Sequence, residues 1–325
     1  MTSFEDVLNR MRSEARNKSE QGRFFEVLMR RVLPLLREYD FADTKVWLWE
    51  DWPERERFVG HSGRDLGIDL VALDRSGAYW AIQCKFFDER TSIQKSHLDS
   101  FFNELGKEPF EHGLIISTND DWSPNAEKAL VGRSKPVEHL RFRDLAHRFD
   151  WNAISPEQTG LSSLKELRPL QIQARDRVIE GFKNHDRGRL IMACGTGKTL
   201  TSLHIAQTMV PEGGRILFLV PSIALISQSL REWADQQDRD AEAMRYLAVC
   251  SDEGVDKRSE DIRAGDLAFP ATTDATRITR ALRTDDARTT VVFCTYQSLE
   301  RIHQAQDMGA PDFDLAICDE AHRTT

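Results

Sequence analysis

The heptapeptide ACGTGKT, at residues 193–199, restricts the fold of this chain more than any other stretch. An apolar run, RLIMA, precedes the heptapeptide, and an amphipathic run, TLTSLHIAQTM, follows it. Glycines let successive backbone N–H groups turn toward one point, and the first turn of a helix adds partial positive charge there. The stretch is therefore predicted to form a strand, a phosphate-binding loop and a helix, although Met192 stands where the GxxxxGK[ST] pattern has its first glycine.

A pair of carboxylates follows another apolar run near the end of the chain, in the sequence ICDEAH. In a phosphate-binding loop of this kind, Lys198 would reach the terminal phosphates and the Thr199 hydroxyl would hold Mg²⁺. Asp319, at the tip of a second strand of the same sheet, can hold that Mg²⁺ through water, and Glu320 can orient an attacking water. These four residues predict a site that hydrolyses a nucleotide phosphate.

Continuous apolar runs in the second half of the chain predict buried strands. Runs of this kind, separated by helical or polar segments, are typical of a parallel sheet that is covered on both faces. The predicted strands are Arg189–Ala193, Arg215–Val220, Thr289–Tyr296 and Phe313–Glu320. Residues 235–283 are polar and give no clear prediction.

A polar stretch without periodicity, Asp150–Leu164, separates the chain into two halves that each alternate strands and helices. The length of 325 residues is sufficient for two domains. We expect a first α/β domain over residues 1–152, a linker over 153–166 and a second α/β domain over 167–325.

The first half has the order helix, hairpin, helix, strand. Its first helix ends or kinks at Pro34 and has one apolar face, made of Phe25, Leu28, Met29, Val32 and Leu36. The hairpin joins Asp69–Leu73 to Ala78–Phe86 through the turn Asp74–Gly77, and a helix is predicted near Ser96–Glu104. His112–Thr118 is predicted to be a further buried strand.

Polar residues on this hairpin raise a chemical question. Gln83 and Lys85 lie two residues apart in an otherwise apolar strand, so they share one face. Pairing across the hairpin would bring both toward Asp69, while Glu26 on the helix could lean over the sheet. Cleavage of a phosphodiester needs a metal, an activated water and a positive charge, which such a group can supply. The alternative is a lysine that extends from a half-exposed strand and an aspartate that caps a turn.

The composition of the chain indicates its cellular compartment and the partners that it can bind. The five cysteines are isolated and never spaced as CxxC, which favours free thiols in a reducing cytoplasm. No apolar run is long enough to cross a membrane, and the N-terminal residues lack an apolar signal segment. With a net charge of −9, any contact with DNA must come from local basic patches.

The second half, from about Leu164, resembles the first RecA-like lobe of superfamily 2 (DEAH-box) helicases and translocases. The resemblance rests on LRPLQIQA, MACGTGKT, FLVPSIALISQS, TYQSL and ICDEAH. It implies that ATP is the nucleotide, that Gly195, Thr196 and Gly197 cradle its phosphates, and that Arg168 and Gln171 recognise adenine. It also implies that the segments beginning at Phe218 and Thr295 touch the DNA backbone. Such motors need a second RecA-like lobe, which this sequence does not contain, so we expect weak ATP binding and very slow hydrolysis.

Residues 20–150 resemble the Mrr-like branch of the PD-(D/E)xK nucleases, which often has Gln where the wider fold has Asp or Glu. The resemblance rests on GRFFEVL, GRDLGIDLVA, YWAIQCKFF and GLIISTNDDWSPNAEKAL. It implies that Asp69 and Gln83 form the site of a Mg²⁺ ion, with the backbone carbonyl of Cys84 as a further contact. Lys85 would orient the nucleophilic water, and Glu26 would help to position metal or water.

A nuclease before a superfamily 2 motor resembles the single-chain type ISP restriction enzymes, in which methyltransferase and target-recognition regions follow. This resemblance implies Mg²⁺-dependent cleavage of double-stranded DNA, powered by ATP-driven translocation. One alternative is a nuclease-helicase of DNA repair or another defence system without a methyltransferase. Another is a catalytically silent adaptor that keeps the nuclease fold only to bind DNA.

Overall fold

The computed structural model describes residues 2–59, 67–88, 90–151, 164–193, 195–237, 244–251, 271–284 and 287–321. The chain divides into two compact units, Met1–Ser162 and Ser163–Thr325, and each unit carries a five-stranded sheet. The predicted fold class is confirmed, since a mixed sheet is followed by a parallel one. Most of the predicted linker lies outside the described residues.

The first unit has five strands in the order β1-β2-β3-β4-β5. Antiparallel pairs join β1 to β2 and β2 to β3, and parallel pairs join β3 to β4 and β4 to β5. The strands are β1 (Phe41–Leu48), β2 (Leu70–Asp74), β3 (Tyr79–Lys85), β4 (Phe110–Ser117) and β5 (Val137–Leu140). The helices are α1 (Phe4–Glu14), α2 (Lys18–Val32), α3 (Arg55–Val59), α4 (Asp99–Leu105), α5 (Pro124–Leu130) and α6 (Phe142–Ala146).

The β2–β3 hairpin is confirmed, with Leu70 opposite Ile82 and Ala72 opposite Trp80. Its turn is stabilised by Asp74, whose Oδ1 accepts hydrogen bonds from the amides of Ser76 (2.9 Å) and Ala78 (3.0 Å). The register fixed by this turn places the residue before β2 beside the last residues of β3.

Four of the five residues predicted for the apolar face of α2 lie on it, whereas Leu36 is buried beyond the end of the helix. Its side chains at Phe25, Leu28, Met29 and Val32 are buried, and the α-helix ends at Val32, two residues before Pro34. The Asn17 side chain accepts a hydrogen bond from the Glu20 amide and so caps the first turn. Because α2 packs against β3, its polar flank reaches the end of the hairpin.

The second unit has a parallel sheet in the order β10-β6-β9-β7-β8. The strands are β6 (Arg215–Val220), β7 (Arg245–Val249), β8 (Ala271–Thr272), β9 (Thr290–Thr295) and β10 (Leu315–Cys318). The helices are α7 (Pro169–Phe182), α8 (Lys198–Met209), α9 (Ile223–Asp235), α10 (Ala275–Arg283) and α11 (Leu299–Asp307). Three of the four predicted strands are present, and β7, β8 and α10 lie in the region that gave no clear prediction.

The predicted strand Arg189–Ala193 is wrong for this structure. Within the described residues, the segment is not a strand of the sheet, and Ile191 is 84% exposed. An apolar run becomes a strand only where a neighbouring strand supplies hydrogen bonds, and the described sheet ends at β10. Sequence pattern alone could not reveal this lack of a partner. In the described part of the chain, no helix has the length and apolar character that crossing a bilayer requires.

Candidate nuclease and nucleotide sites

Asp69 lies directly before β2 and is held by β3 on one side and by the residue after β1 on the other. Its amide donates to the carbonyl oxygen of Ile82, and its carbonyl oxygen accepts from the Trp49 amide, both at 2.9 Å. Its carboxylate reaches further along β3, where Oδ2 accepts a hydrogen bond from the Cys84 amide at 2.6 Å. The carboxylate is thereby held at the end of the hairpin.

Gln83 is buried, with 1% of its surface exposed. Its side-chain Nε2 donates to the carbonyl oxygen of Gly67 at 2.9 Å. Among the described residues, Gln83 Oε1 has no hydrogen-bond partner although it is buried. A buried carbonyl oxygen without a partner is costly, so this atom is suited to accept a ligand that the protein does not provide.

Cys84 lies between the predicted site residues. Burial raises the pKa of its thiol well above the usual range, and the carboxylates of Asp69 and Glu26 raise it further, while Lys85 opposes them. These influences place three predicted residues, Asp69, Glu26 and Lys85, around one thiol. A raised pKa favours the protonated thiol, which is a poor metal ligand, so the predicted metal contact of Cys84 through its backbone carbonyl stays a prediction.

Glu26 and Lys85 complete the group. Lys85 is the last residue of β3 and is partly exposed, and its carbonyl oxygen accepts from the Thr118 amide at 3.1 Å. The Glu26 carboxylate lies 3.2 Å from Arg23 Nη1, and Arg23 also pairs with Glu50. Arg23 therefore orients Glu26 and offsets part of its charge.

These residues fit a magnesium ion. Within the described ranges, no group of three or more His, Cys, Asp or Glu side chains could hold a metal. Mg²⁺ does not need such a cage, because it commonly takes one or two carboxylates and keeps waters or substrate oxygens as its other ligands. Asp69 offers a carboxylate, and Gln83 offers the unpartnered oxygen.

The predicted phosphate-binding loop of the second unit contains two glycines in the left-handed region. Gly195 and Gly197 have φ angles of +74° and +82°, which residues other than glycine rarely adopt. α8 begins at Lys198, directly after Gly197, and has no side-chain cap at its N-terminus. Its first N–H groups are therefore suited to bind an anion. Cys194 lies outside the described residues.

Lys198, which follows this loop, forms an ion pair with Glu320 of the acidic pair after β10. Lys198 Nζ lies 3.0 Å from Glu320 Oε1, and both side chains are partly buried. Glu320 has a positive φ of 50°, an unusual conformation for a residue with a side chain. Burial raises the pKa of the Asp319 carboxyl, and the neighbouring charge of Glu320 adds to the shift. The end of β10 and the start of α8 thus bring together Lys198, Asp319 and Glu320.

Gln171 connects α7 to the loop. Its Oε1 accepts from the Arg168 amide at 2.8 Å, and its Nε2 donates to the carbonyl oxygen of Gly197 at 3.1 Å. A Cβ atom added to Gly197 would come within 2.4 Å of Gln171 Nε2 and would displace that amide, and the φ of +82° independently favours glycine here. Arg168 itself is exposed. The structure thus places Gln171 against the phosphate-binding loop.

One contributor to the first site was not identified from the sequence. Thr118 follows β4 and is 1% exposed, and its amide and hydroxyl bind the backbone that follows the β3 strand. The polar run Ser117–Asp121 directly after a buried strand was an available signal, because ligand sites often lie at the carboxyl ends of parallel strands.

Comparisons with known proteins give the kinds of domain that the two halves of the chain resemble. A family model described as restriction endonuclease matches residues 37–161, and one described as type III restriction enzyme, res subunit, matches residues 164–325. The chain therefore carries a restriction endonuclease domain followed by a helicase-type domain. No curated protein matches the chain.

Two solved structures of type ISP restriction-modification enzymes are similar to the chain. The ATP-dependent enzyme LlaBIII bound to DNA is 36% identical with a TM-score of 0.82, over 100% of this chain and 20% of that one. A nuclease-deletion mutant of LlaGI in complex with a DNA substrate mimic is 39% identical with a TM-score of 0.40, over 49% of this chain and 15% of that one. The chain thus spans a fifth of the length of LlaBIII.

Proposed function

We propose that the first unit is a Mg²⁺-dependent endonuclease that cuts double-stranded DNA, and that the second unit is part of an ATP-driven translocase. The observation that carries the nuclease proposal is the arrangement at the end of the β2–β3 hairpin. There the Asp69 carboxylate is fixed by the Cys84 amide, and Gln83 presents a buried oxygen without a partner among the described residues.

In the nuclease site, Asp69, Gln83 and the carbonyl of Cys84 would hold Mg²⁺. The ion would polarise the scissile phosphate and favour deprotonation of a bound water. Lys85 orients the nucleophilic water and stabilises the negative charge that develops on the phosphate. Glu26, itself oriented by Arg23, helps to position the water or the ion.

In the nucleotide site, Gly195, Thr196 and Gly197 would surround the phosphates of ATP with backbone N–H groups. Lys198 would exchange Glu320 for the terminal phosphates when the nucleotide binds. Thr199 and Asp319 would hold the Mg²⁺ that accompanies ATP, and Glu320, once released, would orient the attacking water. At the adenine, Arg168 would act together with Gln171, whose amide keeps one further N–H.

The likeness to LlaBIII suggests where these activities belong. That structure is described as a type ISP restriction-modification enzyme bound to DNA, and it is similar to this chain over the whole of the chain's length. We propose the same role here, namely restriction of foreign DNA by translocation followed by cleavage. A second RecA-like lobe, a methyltransferase and a target-recognition region would act as partners of the two units.

The nuclease proposal is tested by incubating supercoiled plasmid with Mg²⁺ and comparing the wild type with Lys85→Ala. The wild type should convert supercoiled plasmid to nicked circles, and Lys85→Ala should lose at least tenfold in rate, which is the scale of a lost charge-stabilising group. Equal nicking by Lys85→Ala would refute the assignment. DNA binding without any nicking by the wild type would favour the silent adaptor instead.

A further inference from the structure

Thr118 forms three hydrogen bonds, one to the last residue of β3 and two to the backbone beyond it. Its amide donates to the carbonyl oxygen of Lys85 at 3.1 Å, and its hydroxyl donates to the carbonyl oxygen of Phe87 at 2.8 Å. The same hydroxyl accepts from the Phe87 amide at 2.9 Å. One hydroxyl therefore satisfies both backbone groups of Phe87, two residues after Lys85.

Asn119, the next residue, also forms a hydrogen bond to the segment that follows β3. Asn119 is 3% exposed, and its Nδ2 donates to the carbonyl oxygen of Thr91 at 2.5 Å. β3 ends at Lys85, so the residues after it have left the β3–β4 ladder and need other partners for their backbone groups. Thr118 and Asn119 supply those partners from the end of β4.

We propose that Thr118 is a positioning residue for Lys85, an inference that rests on the proposed nuclease function. Lys85 has a long flexible side chain, so its reach is defined only if its backbone is held. Displacement of a catalytic group by about 1 Å can cost about a hundredfold in rate. The Thr118 hydroxyl prevents such a shift because it fixes the chain immediately after Lys85.

The role needs a hydroxyl and makes no use of the threonine methyl group. Serine keeps a group that can donate and accept at once, whereas valine keeps the shape and can do neither. Thr118→Val and Thr118→Ser therefore form a matched pair. Thr118→Ala is a second hydroxyl-free variant in case valine impairs folding.

The first measurement is amide hydrogen exchange of the peptide that contains residues 84–88 in the full chain. Loss of the hydroxyl should speed exchange there by about tenfold or more, the value of one ordinary hydrogen bond. Thr118→Ser should exchange like the wild type. Trp151→Phe is the control for general destabilisation, because it deletes the hydrogen bond from Trp151 Nε1 to the Ala146 carbonyl oxygen elsewhere in the unit.

The second measurement is plasmid nicking with Mg²⁺ at saturating DNA. Thr118→Val and Thr118→Ala should lose about tenfold or more in rate while binding DNA with wild-type affinity, and Thr118→Ser should stay within about threefold of the wild type. The split between rate and affinity separates a positioning role from a merely structural one.

Each result decides one point. Fast exchange and slow nicking in the hydroxyl-free variants, both restored by serine, support the inference. Unchanged exchange, or fast exchange with wild-type nicking, overturns it. Equal acceleration of the same peptide in Trp151→Phe overturns it as well. If the wild type itself does not nick, the proposed nuclease function fails, whereas the exchange data still show whether Thr118 holds the chain after Lys85.

Discussion

Asp69 in the first unit and Lys198 in the second are both proposed to act on a phosphate, but the structure holds them differently. Asp69 is hydrogen-bonded through its amide, its carbonyl and its carboxylate to neighbouring strands. Lys198 is held by an ion pair with Glu320, and the Arg189–Ala193 segment before its loop is not a strand of the described sheet. The nuclease site is thus organised before any ligand binds, whereas the nucleotide site must exchange a contact within the protein for the ligand.

The largest expected effect is at the site organised in advance. Asp69→Asn should keep the hydrogen bond from the Cys84 amide but lose the carboxylate charge, and plasmid nicking should fall at least about a hundredfold, or 2.7 kcal/mol. Asp74→Asn is the matched control, because the Asp74 carboxylate lies at the other end of β2, where it binds its own turn and Trp80. The comparison fails if the control loses as much nicking as Asp69→Asn.

The next effect concerns Lys198. Lys198→Ala should weaken binding of a fluorescent ATP analogue by about tenfold or more, because a charge-assisted contact with phosphate is worth about 1.5–3 kcal/mol. Lys183→Ala, which removes an exposed lysine paired with Glu180 on α7, should leave the affinity unchanged. Unchanged affinity in Lys198→Ala would remove the phosphate-binding role.

The competition between Glu320 and phosphate gives a prediction of opposite sign. Glu320→Gln removes the negative charge that Lys198 faces before the nucleotide binds. Affinity for the ATP analogue should therefore rise about two- to fivefold, the range of a partly exposed ion pair. Fluorescence titration of the wild type and Glu320→Gln checks this, and weaker binding in the variant would mean that the ion pair does not compete with the ligand.

A smaller loss is expected at Gln171. Its amide supports the carbonyl oxygen of Gly197 whatever base the nucleotide carries, so Gln171→Ala should weaken both ATP and GTP binding, by about three- to tenfold for ATP. Gln173→Ala, on an exposed position of the same helix, is the control. Loss confined to ATP would show that recognition of adenine is the main role of Gln171.

No change in plasmid nicking is expected when the Cys84 thiol is removed. Cys84 is only partly exposed, and desolvation raises the pKa of its thiol well above the usual range, which favours the unreactive protonated form. Cys84→Ala should therefore nick plasmid at the wild-type rate, and Cys84 should stay unmodified by iodoacetamide at pH 8 while the exposed Cys318 reacts. Mass spectrometry of the labelled peptides measures the second outcome. Reaction at Cys84 would mean that the end of the hairpin opens in solution.

The sequence predicted those parts of the molecule that depend on local pattern. The buried face of α2, its end before Pro34 and the β2–β3 hairpin follow from periodicity and turn residues, and the structure confirms them. The residue types of both candidate sites were also visible in the sequence. Gln83 and Lys85 interrupt an apolar strand, and the stretches ACGTGKT and ICDEAH each follow an apolar run.

The parts of the fold and of the candidate sites that the sequence did not predict depend on contacts between distant segments. The bond from Gln83 to Gly67, the hold of Thr118 on Phe87 and the pairing of Lys198 with Glu320 join residues far apart in the chain. The strand predicted at Arg189–Ala193 failed for the same reason, because a strand needs a partner that its own sequence does not specify. β1 and β5 were missed, and their place at the edges of the sheet is likewise set by pairing.

The central claim is that the chain contains two separately built sites, and one paired measurement tests it most directly. Asp69→Ala and Lys198→Ala are each assayed for Mg²⁺-dependent plasmid nicking without ATP and for binding of a fluorescent ATP analogue. The account predicts that Asp69→Ala loses nicking and keeps nucleotide affinity, whereas Lys198→Ala loses affinity and nicks at the wild-type rate. Loss of both properties in either folded variant, or of neither in both, would contradict it.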